Sequence, residues 1–381
     1  MFEGRIDRRR IVVLTTALLL AGCKVIPEGP RPTPPPPPSD NLPADLQRHR
    51  IALLVPLSGD NAGIGQSIAN ATTMALLDTN AKTIRITTYD TAGGAAGAAR
   101  KAIGDGAKLI LGPVQSDEVD DVAPVARAAH IPLISYSSDE SSGARDVFQM
   151  GTSPYNSINR TVRYARGRGA LRYGLLAPNG DYGSRASAAF NAAVKASGGT
   201  VVASSTYDRS NTSVVSAAQR LRGRGSFDAI LIADGARFAV LAAPNLKSSA
   251  AASPRLLGTE LWSGESAIAK TPSLRGALFS AVPDNRFRQF ADSYKARFGS
   301  APYRMATLGY DSVLLAVRIA REWKVGTPFP AARLTERDGF LGLDGPFRFN
   351  ADGTIERALE VREARGGAVT VVSAAPARFA D

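Results

Sequence analysis

The chain has 381 residues, 44% of them hydrophobic and 21% charged. That composition excludes a disordered or fibrous chain and leaves room for two or three domain-sized units with a sizeable core. The formal charge of +12 drops to about +10 without the basic leader described below. It fits a solvated basic surface in an Arg- and Ala-rich chain, or attraction to an acidic partner such as anionic lipid headgroups or cell-wall carboxylates.

Arg5, Arg8, Arg9 and Arg10 form a basic n-region, followed by a short apolar run from Ile11 to Leu20. A membrane span needs about 20 apolar residues, so the run reads as part of a secretory signal peptide over 1–22. Export argues against a nucleic-acid partner. The leader ends in Leu20-Ala21-Gly22-Cys23, which resembles a bacterial lipobox: small residues for the peptidase cleft, then a thiol to carry the lipid. Cys23 is the single cysteine. An intramolecular disulfide is therefore closed to this chain, and so is a thiol mechanism. By resemblance to Gram-negative lipoproteins, Lys24 favours a periplasmic protein held by lipid on the outer rather than the inner membrane. Residues 23–44 form a Pro-rich linker, with five prolines in a row at Pro34 to Pro38. Such a run adopts polyproline II and, at about 3.1 Å per residue, holds the folded part roughly 60 Å from the membrane.

From Ile51 onward apolar strands alternate with helical stretches. Ile51 to Val55 is a continuous apolar run, as expected of a strand covered on both faces. The spacing predicts helices over 65–78, 95–103 and 118–129, interleaved with strands over 84–89, 109–111 and 131–134. The rhythm restarts at Tyr173 to Leu176, with helices over 184–196 and 213–222 and strands over 200–205 and 227–233. Two such βα series predict an α/β fold of two lobes with parallel sheets. Residues 283–323 read as helical, with Phe287, Phe290, Tyr294 and Phe298 on one face as core. The end predicts a β-hairpin, 345–349 and 355–362 around an Asp352-Gly353 turn, then a last strand over 369–372.

Catalytic motifs are missing. The two histidines, His49 and His130, read as structural, and there is neither a Gly-x-Ser-x-Gly elbow nor an HExxH pair. Gly93-Gly94-Ala95-Ala96-Gly97 has the wrong spacing for a dinucleotide fingerprint and reads as a tight strand-to-helix turn. The chain is expected to be no enzyme and to need no cofactor and no metal.

In an open α/β sheet ligands sit beyond the carboxyl ends of the strands. Those ends carry Ser58, then Gln115 and Ser116, then Tyr136 and Ser138 in the first series. Their hydroxyls and the free N–H groups of the following helices suit a carboxylate; Ser58, Ser116 and Ser138 read equally well as helix caps. The second series offers Tyr182, Asp234 and Glu260, acids and an aromatic face. A zwitterion such as an amino acid is complementary to that pair of surfaces.

At these loops the chain resembles the leucine/isoleucine/valine-binding branch of type I periplasmic solute-binding proteins. The matching stretches are IALLVPLSGDNAGIGQSIANATTMAL, LILGPVQSDEVDDVAPVARAAHIPLIS, LLAPNGDYGSRASAAF, FDAILIAD, YRMATLGYDSVLLAV and DGFLGLDGPFRFNADGTIERALEV. The resemblance implies two Rossmann-like lobes joined by a multi-strand hinge, 45–152 plus 283–335 and 153–282 plus 336–381, closing on a ligand in the cleft. By the same resemblance Ser116 and Ser138 meet the ligand carboxylate, with Gln115 and Tyr136 beside them. Tyr182 covers the ligand and Glu260 pairs with its ammonium; Asp234 is the lesser candidate. Gln115 and Tyr136 are bulkier than the small residues many amino-acid binders carry, and Trp262 is expected to narrow the cleft. A second group with this fold, the outer-membrane lipoprotein activators of penicillin-binding proteins, shares the lipid anchor, spacer and ending. The partners implied are a small amino-acid-like ligand, the membrane through Cys23, and an ABC permease or a peptidoglycan synthase.

Overall fold

A computed structural model describes residues 47–210, 212–247 and 253–379. The leader, Cys23 and the Pro-rich linker lie outside the described residues. The first lobe is built from β1 (His49–Val55), α1 (Ala62–Asp78), β2 (Ile84–Asp90), α2 (Ala95–Gly104), β3 (Leu109–Leu111), α3 (Ser116–Ala128), β4 (Leu133–Ser135) and β5 (Val147–Gln149). The second begins with α4 (Pro154–Gly167), β6 (Arg172–Pro178), α5 (Asp181–Ala196), β7 (Thr200–Tyr207) and α6 (Ser213–Arg222). It continues with β8 (Ala229–Ile232), α7 (Ala236–Leu246), β9 (Arg255–Leu257), α8 (Ser266–Lys270) and β10 (Leu278–Ala281). The chain then returns to the first lobe with α9 (Asn285–Phe298), α10 (Ala306–Ala320) and the small sheet β11 (Phe340–Gly342), β12 (Gly345–Phe349) and β13 (Ile355–Arg357). It ends on the second with β14 (Glu360–Arg365) and β15 (Ala368–Ser373).

The first sheet runs β2-β1-β3-β4-β5, all parallel. The second runs β15-β14-β10-β9-β8-β6-β7; its parallel part repeats the first order, and β14 and β15 add an antiparallel edge. In each sheet the strand order reverses at the first strand of the series, where the loops splay apart into a crevice. The central strands Ile51 to Val55 and Ala229 to Ile232 are fully buried, which is why they read as unbroken apolar runs rather than alternating ones.

The chain passes between the lobes at 150–153, 282–284 and 358–359. Two buried arginines tie these passages together. Arg357 donates to the Met150 carbonyl at 2.6 Å. Arg362 donates to the Val282 carbonyl at 2.7 Å and pairs with Asp284 at 2.8 Å and Glu360 at 2.7 Å. The strand expected over 355–362 is thus interrupted at Ala358 and Leu359, where it leaves one lobe for the other. This also corrects the expected lobe limit. Phe340, Phe347, Phe349 and Ile355 pack in the core of the first lobe with Ile51 and Leu53, so 340–357 does not belong to the second. Among the described residues no helix is long and apolar enough to cross a membrane.

The two lobes share one packing device. A Cβ at Gly65, in α1, would lie 1.7 Å from the Pro56 carbonyl oxygen, and one at Gly183, in α5, 1.8 Å from that of Pro178. Only glycine lets each helix start so close to the strand it follows. In the second lobe this close approach sets Tyr182 and Arg185 at the gap. Gly183→Ala is expected to destabilise the protein by about 2 kcal/mol, the cost of overpacking. Urea unfolding with an unchanged midpoint would show that the helix shifts without strain.

Candidate functional site

The carboxyl ends of both parallel sheets open onto one cavity of about 1000 Å³. From the first lobe come Gln115 and Ser116 at the start of α3, and Tyr136, Ser138 and Asp139 after β4. From the second come Tyr182 and Arg185 on α5, and Glu260 and Leu261 after β9. Six of the residues expected at the site therefore meet here: Gln115, Ser116, Tyr136, Ser138, Tyr182 and Glu260.

Their environments differ. Ser116 and Ser138 line the cavity, and among the described residues neither hydroxyl is engaged, so they are not the side-chain caps they could have been. The helix start they flank is already partly supplied with negative charge: Asp117 accepts the Glu118 N–H at 3.0 Å and itself lines the cavity. Tyr136 is 1% exposed, and its hydroxyl is bonded to Ser312 Oγ at 2.7 Å. The ring contributes to the wall while the oxygen serves the core.

Glu260 is a carboxyl at the cavity whose environment raises its proton affinity. The Tyr182 hydroxyl donates to its Oε1 at 3.0 Å and lies 3.0 Å from Thr259 Oγ1. Oε2 is shielded from solvent and has no partner among the described residues. Burial pushes the Glu260 carboxyl up to about 7, against the opposing pull of the Tyr182 hydrogen bond and the Arg185 charge. The native state thus holds this proton where the unfolded chain, near 4.5, has released it. The group's contribution to stability falls as pH rises from about 4.5 to 7.

Two expected residues stand elsewhere. Ser58 donates to Asp90 Oδ2 at 2.7 Å, and the Leu57 N–H donates to Asp90 Oδ1 at 2.8 Å, which ties the loop after β1 to the end of β2 and away from the cavity. Asp234 is buried and accepts from Tyr207 at 2.5 Å and from Arg209 at 2.8 and 2.9 Å. It acts one residue back: the Arg209 guanidinium it holds stacks over the Tyr182 ring at 5.5 Å. Nor does Trp262 narrow the cleft. Its ring is fully buried in the second lobe, so close to Gly258 that a Cβ there would lie 2.2 Å away, and its Nε1 donates to the Asp234 carbonyl at 2.8 Å.

Other residues come to the cavity without notice in the sequence. Arg185 pairs with Asp139 at 2.7 Å, an ion pair that joins the two lobes. Its position three residues after Tyr182, on the same helical face, was the available signal. Phe287 and Arg304 line the other side, the guanidinium 4.0 Å from the ring centroid and 2.7 Å from Asp344. Phe287, expected as core, is half-buried here. Among the described residues no cluster of His, Cys, Asp and Glu could hold a metal ion.

Two wound α/β lobes with a cavity at their facing strand ends, crossed three times by the chain, make the architecture of a two-lobed binding protein. The family model for periplasmic binding proteins matches residues 49–368, and the chain belongs to that family. Its fold is type I, as in several solved structures. A protein of Rhodospirillum rubrum assigned as a branched-chain amino acid ABC transporter is 20% identical with a TM-score of 0.74, over 85% of this chain and 100% of that one. The branched-chain amino acid substrate-binding protein LivJ of Streptococcus pneumoniae, in complex with isoleucine, is 20% identical with a TM-score of 0.59, over 86% and 99%. An ABC transporter solute-binding protein of Rhodopseudomonas palustris, in complex with 3,4-dihydroxybenzoic acid, is 19% identical with a TM-score of 0.62, over 87% and 97%. At such identities the likeness is one of fold. No curated protein sequence matches the chain.

The Glu260 environment is directly testable. Carbon-13 NMR titration of its carboxyl should give a midpoint near 7. Tyr182→Phe, which removes a bond that favours the charged form, should raise that midpoint further. A wild-type midpoint close to 4.5, the ordinary value, would contradict the burial.

Proposed function

We propose that the chain is a lipid-anchored extracytoplasmic binding protein that captures a small amino-acid-like ligand between its lobes and presents it to an ABC permease. The observation that carries this reading is Glu260 Oε2, buried at the cavity and without a partner among the described residues. A ligand ammonium supplies the charge that such an oxygen lacks, which an aromatic acid cannot do. Ser116 and Ser138 face it from the other lobe with hydroxyls available for the carboxylate. Tyr182 covers the ligand and orients Glu260. Gln115 and the Tyr136 ring set the shape of the pocket. Ligand contacts made to both lobes at once favour the closed form, and the Arg185–Asp139 pair favours the same form. Anchoring rests on the lipobox at Cys23, with Lys24 favouring the outer membrane.

Calorimetry with branched and polar amino acids, and with benzoates, tests the ligand class. An amino acid is expected to bind at millimolar affinity or better. Glu260→Ala should weaken it about 100-fold, roughly 2.8 kcal/mol. Because the carboxyl must lose its proton to pair with an ammonium, affinity should fall about tenfold from pH 8 to pH 6. An aromatic acid would show no such loss. No heat with any amino acid, together with co-purification of a peptidoglycan synthase, would favour the activator reading instead.

The anchor has its own test. Radiolabelled palmitate should enter the wild-type chain in a Gram-negative host and not Cys23→Ser; label retained by the variant would refute lipidation at this residue.

A further inference from the structure

The positive charge of the chain is divided unequally between the lobes. Over 47–152 and 283–357, which form the first lobe, 21 Lys and Arg face 20 Asp and Glu. Over 153–282, the main body of the second, 16 face 6, a net charge of +10. The excess is concentrated at one end. Helices α4, α5, α6 and α7 each run back to the amino ends of the strands that follow, so their last turns gather at the pole opposite the cavity. Exposed Arg168, Arg172, Arg222, Arg224 and Arg255 stand there, with Lys195 and half-buried Arg166 beside them. Hydrogen bonds knit this pole into one surface: Arg166 to the Ser197 carbonyl, Arg172 to that of Ser226, and the Arg255 N–H to that of Asp228.

Helix dipoles alone favour cations at helix ends, and that would apply to both lobes equally. The first lobe pairs several of its own with acids, Lys101–Asp105 at 3.8 Å, Arg127–Asp146 at 2.7 Å and Arg297–Asp78 at 2.6 Å. At the second pole the carboxylate of Asp228 is occupied by the backbone N–H groups of Leu171 and Arg172, both at 2.8 Å. Glu363, near the same end, pairs with Arg365 at 3.2 Å. Among the described residues none of the pole cations named above forms an ion pair. Nearby, burial and then the charge of Arg255 push the Lys247 ammonium down. Leu171, 45% exposed, stands between Arg168 and Arg172.

We infer that the outer pole of the second lobe is a docking surface for an anionic phospholipid bilayer. Cations spread over the ends of three helices and the strand starts beside them, around an exposed leucine, match a plane of negative headgroups with an apolar layer beneath it. A small acid is better matched by convergent donors than by cations spread over a face. The surface lies away from the cavity, so adsorption leaves the cleft open, and the inference is independent of the ligand.

The test uses the mature chain, 23–381, carrying Cys23→Ser, so that neither lipid nor the basic leader contributes, in sedimentation with vesicles. Binding to vesicles of 30% phosphatidylglycerol in phosphatidylcholine should be at least about tenfold tighter than to pure phosphatidylcholine, and should weaken about tenfold between 0.05 and 0.3 M salt. Arg168→Glu/Arg172→Glu/Arg222→Glu should abolish the difference with the thermal melt unchanged. Reversal of three exposed first-lobe cations, Arg100→Glu/Lys108→Glu/Arg321→Glu, should leave most of it. Equal binding to both vesicle types, equal loss in the two triple variants, or binding to isolated peptidoglycan without binding to vesicles would each overturn the proposal. If the pole variant unfolds, Arg168→Gln/Arg172→Gln, which removes charge without adding any, should still lower affinity at least about threefold, and no change would count against it.

Discussion

Three passages of the chain between two sheets constrain everything else in this molecule. A chain that crosses once could let its lobes turn freely; one that crosses three times, side by side, restricts them to a hinge. The crossings are held by charge as well as by peptide. Arg357 and Arg362 are buried guanidiniums that reach carbonyls on passages far away in sequence, Met150 and Val282. A guanidinium suits this role because its donors lie in a rigid plane and it stays charged when buried. The same crossings bring α9 and α10 back to the first lobe, so that Phe287, Arg304 and Asp344 become a wall of the cavity.

Within that frame the cavity is asymmetric. The first lobe presents small hydroxyls and a helix start whose field is already tempered by Asp117. The second presents Glu260, buried beside Tyr182. Lifting a carboxyl to about 7 stores unfavourable desolvation that a cationic group can relieve on arrival. The Arg185–Asp139 pair bridges part of the gap with charges from opposite lobes.

The fold was legible where buried strands and amphipathic helices were long. The apolar run 51–55 and helix 213–222 lie where their patterns placed them. Strands of three or four residues, 147–149, 255–257 and 278–281, left no periodicity to read, since their pairing comes from neighbours in the sheet. The passage at 358–359 was hidden because a strand that changes sheets keeps its strand-like composition. At the candidate site, the rule that ligands meet strand ends pointed to several loops that line the cavity, but not to which side chains turn inward. Ser58 and Asp234 sit on such loops and are taken by Asp90, and by Tyr207 and Arg209, partners 25 to 32 residues away. Arg185 and Arg304 were missed for the converse reason: their roles depend on partners distant in sequence, Asp139 of the other lobe for Arg185, and Phe287 and Asp344 for Arg304.

Charge completes the argument because it separates what the shape leaves alike. The two lobes repeat one strand order and one glycine-mediated contact between helix and strand, so packing gives them little to tell them apart at their outer ends. Their sequences do differ there. In the first lobe acids lie within reach of the cations at the helix ends; in the second the nearby acids are committed to backbone amides or to other arginines. A repulsive cluster of this kind works against the stability of the lobe that carries it, and helix dipoles return only part of that cost. The cavity cannot account for it, since it lies at the other end of the same strands. An external negative surface is the one element of the setting that would turn the repulsion into attraction.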